Sequence, residues 1–198
     1  RKNILSIIIY GIGMKHLNYV LSLKNKRMAV QVIDDYLSNS EWTYLSNPLM
    51  GVGGDFPWKY SPSKVRGGDD GYQFTHQFYS IGKKSDWFGL VSPLMKRFHV
   101  LGVYRIKSNL EPNYGKRIYS EFHHDYCDPA TLKPANHMTT CIYYVNTCNG
   151  YTEFEDGTIV KSVANRMAVF SSDMLHRGVS QTDTKVRCVI NCNWFNAL

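Results

Sequence analysis

Phe122-His123-His124-Asp125-Tyr126 places an imidazole and a carboxylate two residues apart. On a strand, residues two apart leave the same face, so the side chains of His123 and Asp125 would converge on one point. His124 would face the other way, which makes it the weaker partner for Asp125. A His-x-Asp pair by itself is weak evidence, because so short a pattern recurs by chance. Support comes from His176, which lies between an apolar run at 167–170 and another at 186–191 and is expected near the end of a strand in the same array. Two imidazoles and one carboxylate on one face of a metal leave three positions open for a bidentate ligand and O2, which suits Fe(II). Zinc would usually take four tetrahedral ligands.

Arg187 adds a charge. It stands among Val186, Cys188, Val189 and Ile190, on a strand that begins about ten residues beyond His176 and is expected to run antiparallel beside it. A guanidinium with apolar neighbours needs a partner, and its planar fork matches a carboxylate bidentately. An anion anchor is therefore expected at Arg187, a solvated strand arginine being the plainer alternative. His76, His99 and His137 have no partner at a ligand spacing and are read as surface or polar-contact residues.

The elements that must hold these groups are mostly strands. After Phe98 the chain breaks into eight short segments rich in β-branched and aromatic residues: HVLGVYRIKSNL, KRIYSEFHHDY, HMTTCIYYVN, GYTEFE, GTIVKSV, RMAVFSS, LHRGVS and KVRCVINCNWF. Asn149-Gly150 and Asp156-Gly157 sit between consecutive members, where tight hairpins need residues that accept positive φ. This pattern predicts an antiparallel sandwich or barrel, the jelly roll being one closed solution. Upstream, AVQVI reads as a strand followed by a helix capped by Ser38 or Ser40, with Trp42 and Leu45 on one side. SDWFGLVSPLMKRF reads as a second helix capped by Ser85 and distorted by Pro93. Residues 47–72, rich in Gly and Pro, are expected to form a long loop over a binding site, with Trp58 and Tyr60 in it.

The 198 residues suffice for one domain with a substantial core, and 43% hydrophobic residues argue against disorder. The net charge of +7 favours an acidic partner, either a nucleic acid or a small anion. Cys127, Cys141, Cys148, Cys188 and Cys192 lack paired C-x-x-C spacing and read as reduced thiols of a cytoplasmic protein. The apolar run Ile4–Met14 is too short to span a bilayer and lacks a convincing cleavage site, so no membrane role is expected. Residues 1–27 are expected to be an N-terminal extension, leaving 28–198 as a single domain.

Taken in order, HHD, TTCIYYVN, GYTEFEDGTIV, NRMAVFSSDMLHRG and VRCVINCNWF resemble the catalytic core of prolyl 4-hydroxylase-type 2-oxoglutarate/Fe(II) dioxygenases. VIDDYLS near residue 35 resembles the entry to that domain. The resemblance implies a mainly β protein with flanking helices around a double-stranded β-helix (jelly roll) core. It implies Fe(II) on His123, Asp125 and His176, with Arg187 holding the distal carboxylate of 2-oxoglutarate. Tyr144 matches a tyrosine that helps hold that carboxylate. Ile142, in phase with Tyr144, would pack on the co-substrate's methylenes, and Asn191 and Asn109 would add hydrogen bonds. The interval from His176 to Arg187 is slightly longer than the family's, which places the extra length in the turn SQTDT.

The activity implied is hydroxylation coupled to oxidative decarboxylation of 2-oxoglutarate, with O2 as oxidant and ascorbate as reductant. The family suggests a prolyl or other peptidyl substrate. The positive charge keeps a nucleic-acid base oxygenase open, with Arg66, Lys83 and Lys84 near the mouth, and a jelly-roll binding protein without turnover is the third reading. The oligomeric state is not legible.

Overall fold

The computed structural model describes residues 29–64, 71–126 and 138–196. The expected extension 1–27, Arg66, Cys127 and His137 lie outside them. Eleven strands are described: β1 (Gln31–Ile33), β2 (Lys59–Ser61), β3 (Gln73–Ser80), β4 (Lys83–Lys84), β5 (Val100–Pro112), β6 (Thr139–Tyr144), β7 (Tyr151–Phe154), β8 (Ile159–Lys161), β9 (Arg166–Ser171), β10 (His176–Val179) and β11 (Val186–Asn196). They build an eight-stranded sheet in the order β1-β9-β6-β11-β5-β3-β2, with β4 on β3, and a three-stranded sheet in the order β10-β7-β8. Every pairing is antiparallel. This is the mainly β, jelly-roll architecture read from the sequence.

Strand alternation divides the molecule into two cores. On β11, Cys188, Ile190, Cys192 and Trp194 face one way, joining Cys141 and Tyr143 of β6 and Ile106 of β5 in the larger core. Two helical segments cover that face: α1 (Asn39–Leu49) through Leu45 and Leu49, and α2 (Phe88–Val91) with the 3-10 turn Ser92–Met95 through Leu90, Val91 and Leu94. The alternate residue Val189 joins Ile142, Tyr144, Phe154, Val160, Ala168 and Phe170 in a second core between the two sheets. Period-2 patterning thus places apolar residues toward the helices and a mixed set toward the barrel interior.

Helix α1 begins as read, with Ser38 accepting from the backbone N–H of Glu41 while the Glu41 carboxylate accepts from the Ser38 N–H. The second helix is shorter than expected. Ser85 does not cap it; its hydroxyl meets His76 Nε2 at 3.0 Å instead, and Pro93 lies in the first turn of the 3-10 segment. Of the two hairpin signals, Asp156-Gly157 joins β7 to β8, with Gly157 at φ +86°. Asn149-Gly150 makes no hairpin, because β6 and β7 belong to different sheets and the chain crosses between them there. The described residues of 47–72 are less irregular than the composition suggested: α1 runs to Leu49 and β2 adds an edge strand. Trp58 packs against the larger core, leaving Tyr60 exposed. Cys141, Cys148, Cys188 and Cys192 are all buried and unpaired. Among the described residues, no helix is long and apolar enough to cross a membrane.

Candidate functional site

His123, Asp125 and His176 come together, each offering a ligand atom within 4.8 Å of the others. The segment carrying His123 and Asp125 is not the regular strand expected. It is extended chain held by isolated bridges, Tyr119 to Val179 and His123 to His176. The His123–His176 bridge exchanges both backbone hydrogen bonds, at 3.0 and 3.2 Å, and so fixes His123 against His176.

Each imidazole is oriented by its own turn. His123 Nδ1 lies 3.0 Å from the Glu121 carbonyl, and His176 Nδ1 lies 3.0 Å from the Met174 carbonyl. A carbonyl only accepts, so both Nδ1 atoms carry the proton, and in the neutral tautomer this selects each Nε2 presents its lone pair. His176 Nε2 is buried without a hydrogen-bond partner, beside the rings of Phe154 and Phe170. Burial also lowers the His176 pKa, an effect that Asp125 opposes. A buried lone pair with nothing to accept from is costly unless a cation occupies it. The donor set therefore fits a divalent metal, with two neutral nitrogens and one carboxylate.

Asp125 is the most constrained of the three. Arg105 donates to Oδ1 from Nη2 at 3.0 Å, and Asn193 donates to Oδ2 from Nδ2 at 3.0 Å. Asn193 is itself held by Arg105 Nε at 3.1 Å and Thr140 at 3.0 Å. Burial would raise the carboxyl's pKa; His176, Arg105, the Asn193 hydrogen bond and His123 overcome it and bring the value to about 2. The carboxylate is thus ionised, and each oxygen keeps a lone pair for a metal. Arg105 and Asn193 were not singled out from the sequence; their signal was phase, since Asn193 lies two and Arg105 four paired positions along the inward faces from Asn191 and Asn109. Asn193→Ala is expected to weaken divalent-metal binding by about 10- to 100-fold, the usual cost of losing an outer-shell partner. Equilibrium dialysis against Mn(II) checks this, and unchanged affinity would mean that Arg105 alone positions Asp125.

Arg187 does not run beside the His176 strand as expected, because β10 and β11 belong to different sheets. It reaches the barrel interior from the opposite wall and is 2% exposed. Nε donates to Ser162 at 2.9 Å, and Nη1 meets Glu111 Oε1 at 3.3 Å. Lys64 Nζ lies 3.1 Å from the other Glu111 oxygen, so two buried cations share one carboxylate. Lys64 and Glu111 were also missed. Lys64 comes from the described part of the long loop, where Gln73 donates to the Ser63 and Lys64 carbonyls.

The remaining candidates line the same interior. Tyr144 donates to Thr152 at 2.8 Å, with the Arg187 guanidinium 5.9 Å from its ring centre. Ile142 belongs to the inter-sheet core. Asn191 and Asn109 have buried Oδ1 atoms without hydrogen-bond partners. Gly150 makes room for Arg187, since a Cβ there would stand 2.7 Å from Arg187 Cδ and 3.0 Å from the Val179 carbonyl. Gly150→Ala is expected to displace Arg187, costing about 1 to 3 kcal/mol of stability from overpacking and lowering affinity for a carboxylate ligand. Thermal melts paired with calorimetric titration would show both effects.

No family model matches the chain, and no curated protein matches it in sequence. Solved structures do match in shape. A prolyl hydroxylase from Trichoplax adhaerens, in complex with a hypoxia inducible factor oxygen degradation domain peptide, superposes with a TM-score of 0.58 at 14% identity, over 90% of this chain and 88% of that one. The viral collagen prolyl hydroxylase of Paramecium Bursaria Chlorella virus-1, in its 2-oxoglutarate complex, gives 0.55 at 17% identity over 86% and 97%. SnoN, a non-heme alpha ketoglutarate dependent epimerase from nogalamycin biosynthesis, gives 0.58 at 14% identity over 90% and 80%. With a His-Asp-His cluster set between its two sheets, this chain has the jelly-roll fold of the prolyl hydroxylase-like 2-oxoglutarate/Fe(II) oxygenases.

Proposed function

We propose that the protein is an Fe(II)- and 2-oxoglutarate-dependent hydroxylase acting on a prolyl or other peptidyl residue. The observation that carries the reading is the partnerless lone pair of His176 Nε2, buried within 4.8 Å of ligand atoms from His123 and Asp125. His123, Asp125 and His176 would hold the iron, which supplies O2 activation and the oxidation of substrate when bound. The chain's own contribution is positional. The Glu121 and Met174 carbonyls fix the imidazole tautomers, while Arg105 and Asn193 keep Asp125 ionised and aimed. Arg187 would take the distal carboxylate of 2-oxoglutarate, with Tyr144 beside it. The buried Arg187 guanidinium at that end supports an anion, since its planar fork matches a carboxylate bidentately. Ile142, Val189 and Phe170 line the interior and would exclude water.

The peptide substrate rests on the shared fold and on the peptide bound to the Trichoplax protein, while the epimerase shows that the fold also serves other outcomes. The test is incubation of purified protein with Fe(II), ascorbate and 2-oxoglutarate, followed by measurement of succinate and a mass-spectrometric search for singly oxygenated products. Peptide and oligonucleotide libraries run in parallel. Succinate formation with oxygenated peptides is expected. No succinate under any condition would sink the oxygenase reading, and oxygenated oligonucleotides alone would move the substrate to nucleic acid.

A further inference from the structure

The inward face of β5 carries Arg105, Lys107, Asn109 and Glu111 in strict alternation, opposite Asn193, Asn191, Val189 and Arg187 of β11. The two ends of this ladder have assigned work: Arg105 and Asn193 hold Asp125, while Glu111 meets Arg187. Between them lies Lys107, in register with Asn191 on one side and with Gln77 of β3 on the other. Lys107 is half-buried, and no hydrogen bond or ion pair to it is found among the described residues. An interior ammonium without a counter-ion is unfavourable, more so beside the Arg105 guanidinium. Burial first, and then Arg105, lower its pKa to about 8, with Asp125 opposing. The Oδ1 atoms of Asn109 and Asn191, on either flank, are also without partners. Amide rotation would turn either side chain into a donor toward an anion. Lys107 thus stands between the His-Asp-His cluster and Arg187, at the level where the body of a small ligand spanning the two would lie.

We propose that Lys107 is the second cationic contact of the 2-oxo acid, receiving the carboxylate at its metal end, with Asn191 beside it, while Arg187 receives the distal one. This rests on the 2-oxoglutarate reading above. It gives the interior a cation for each end of a dicarboxylate, so selectivity is divided between two residues that can be tested separately.

The experiment is calorimetric titration of the Mn(II)-loaded protein under argon with three acids. These are 2-oxoglutarate, 2-oxopentanoate, which lacks the distal carboxylate, and 4-oxopentanoate, which lacks the metal-end one; the two monoacids are run in competition with 2-oxoglutarate where they bind weakly. Lys107→Met is expected to weaken 2-oxoglutarate and 2-oxopentanoate by the same factor, about 10- to 100-fold, the worth of one charge-assisted hydrogen bond. It should leave 4-oxopentanoate unchanged, and Lys107→Arg should restore most of the loss. Mn(II) affinity without any acid should not fall in Lys107→Met, since Lys107 is a cation near Asp125. A fall in Mn(II) affinity, or equal weakening of all three acids, would mark the residue as merely structural. Unchanged 2-oxoglutarate affinity in Lys107→Met would overturn its role while leaving the proposed function intact. Native protein that binds none of the acids would overturn the 2-oxoglutarate reading itself.

Discussion

His176→Ala is expected to remove metal binding and, with it, all 2-oxoglutarate turnover. The variant loses the most buried ligand of the cluster, at 2% exposure, and leaves two ligands from one extended segment. The loss should exceed the about 10- to 100-fold that an outer-shell partner costs, because a first ligand is deleted and the remaining pair cannot cap one face of the metal. Folding should survive: burial of the neutral imidazole against Phe154 and Phe170 contributes packing, and a loss of roughly 1 to 3 kcal/mol is in keeping with a truncated core side chain of this size. Metal content after anaerobic dialysis against Fe(II), read by mass spectrometry, checks the first part, and a thermal melt checks the second. His124→Ala serves as the internal contrast and should retain metal. A His176→Ala protein that keeps a full equivalent of Fe(II), or a His124→Ala protein that loses it, would place the centre elsewhere.

The contrast between those histidines was legible in the sequence for a reason that holds only in part. Alternation on a strand separates His123 from His124, yet the segment from 119 to 126 forms only two isolated bridges. Extended backbone gives the same alternation without a ladder, so placing His123 and Asp125 on one side did not require a strand. The same logic sorted Arg187, Asn191, Tyr144 and Ile142 onto the barrel interior, because β11 and β6 are regular and apolar on their opposite face. Sheet membership was not legible. His176 and Arg187 stand close in sequence, and the economical reading made their strands neighbours. In the fold, β10 pairs with β7 while β11 pairs with β5 and β6, so Arg187 faces the His-Asp-His cluster from across the interior. Strand pattern carries which side a residue faces; it carries nothing about which of two sheets a strand joins.

Charged residues on the inward face of β5 were also missed, and the cause is physical. Arg105, Lys107 and Glu111 alternate with Gly102, Ile106 and Leu110 in a way that reads as the solvent face of an ordinary amphipathic strand. Nothing local distinguishes an interior that binds an anion from water, since both satisfy charge. Their pairing with β11, whose inward residues include Arg187 and Asn193, makes the difference, and that is a long-range fact. Lys64 is a similar case, being a loop lysine by sequence and a buried member of the Glu111 cluster by structure.

That cluster gives the second large effect. Arg187→Met is expected to lower affinity for 2-oxoglutarate by about a hundredfold or more, since two charge-assisted hydrogen bonds to the distal carboxylate would be lost. The variant should nevertheless fold, because Lys64 remains 3.1 Å from Glu111 and keeps that carboxylate paired. The stability cost comes from the bonds to Ser162, Glu111 and the Tyr151 carbonyl, about 1 to 3 kcal/mol. Glu111→Gln acts in the opposite sense. It removes the carboxylate that Lys64 and Arg187 both approach, and breaking a buried charge group in this way costs about 3 to 5 kcal/mol in the ligand-free protein. Added 2-oxoglutarate would bring a carboxylate to those same cations, so the ligand-induced rise in Tm should be larger for Glu111→Gln than for the native chain and nearly absent for Arg187→Met. Differential scanning fluorimetry with and without 2-oxoglutarate reads all three proteins in one format. If Glu111→Gln gained less from 2-oxoglutarate than the native chain, or Arg187→Met gained as much, the distal carboxylate would not be bound at this cluster.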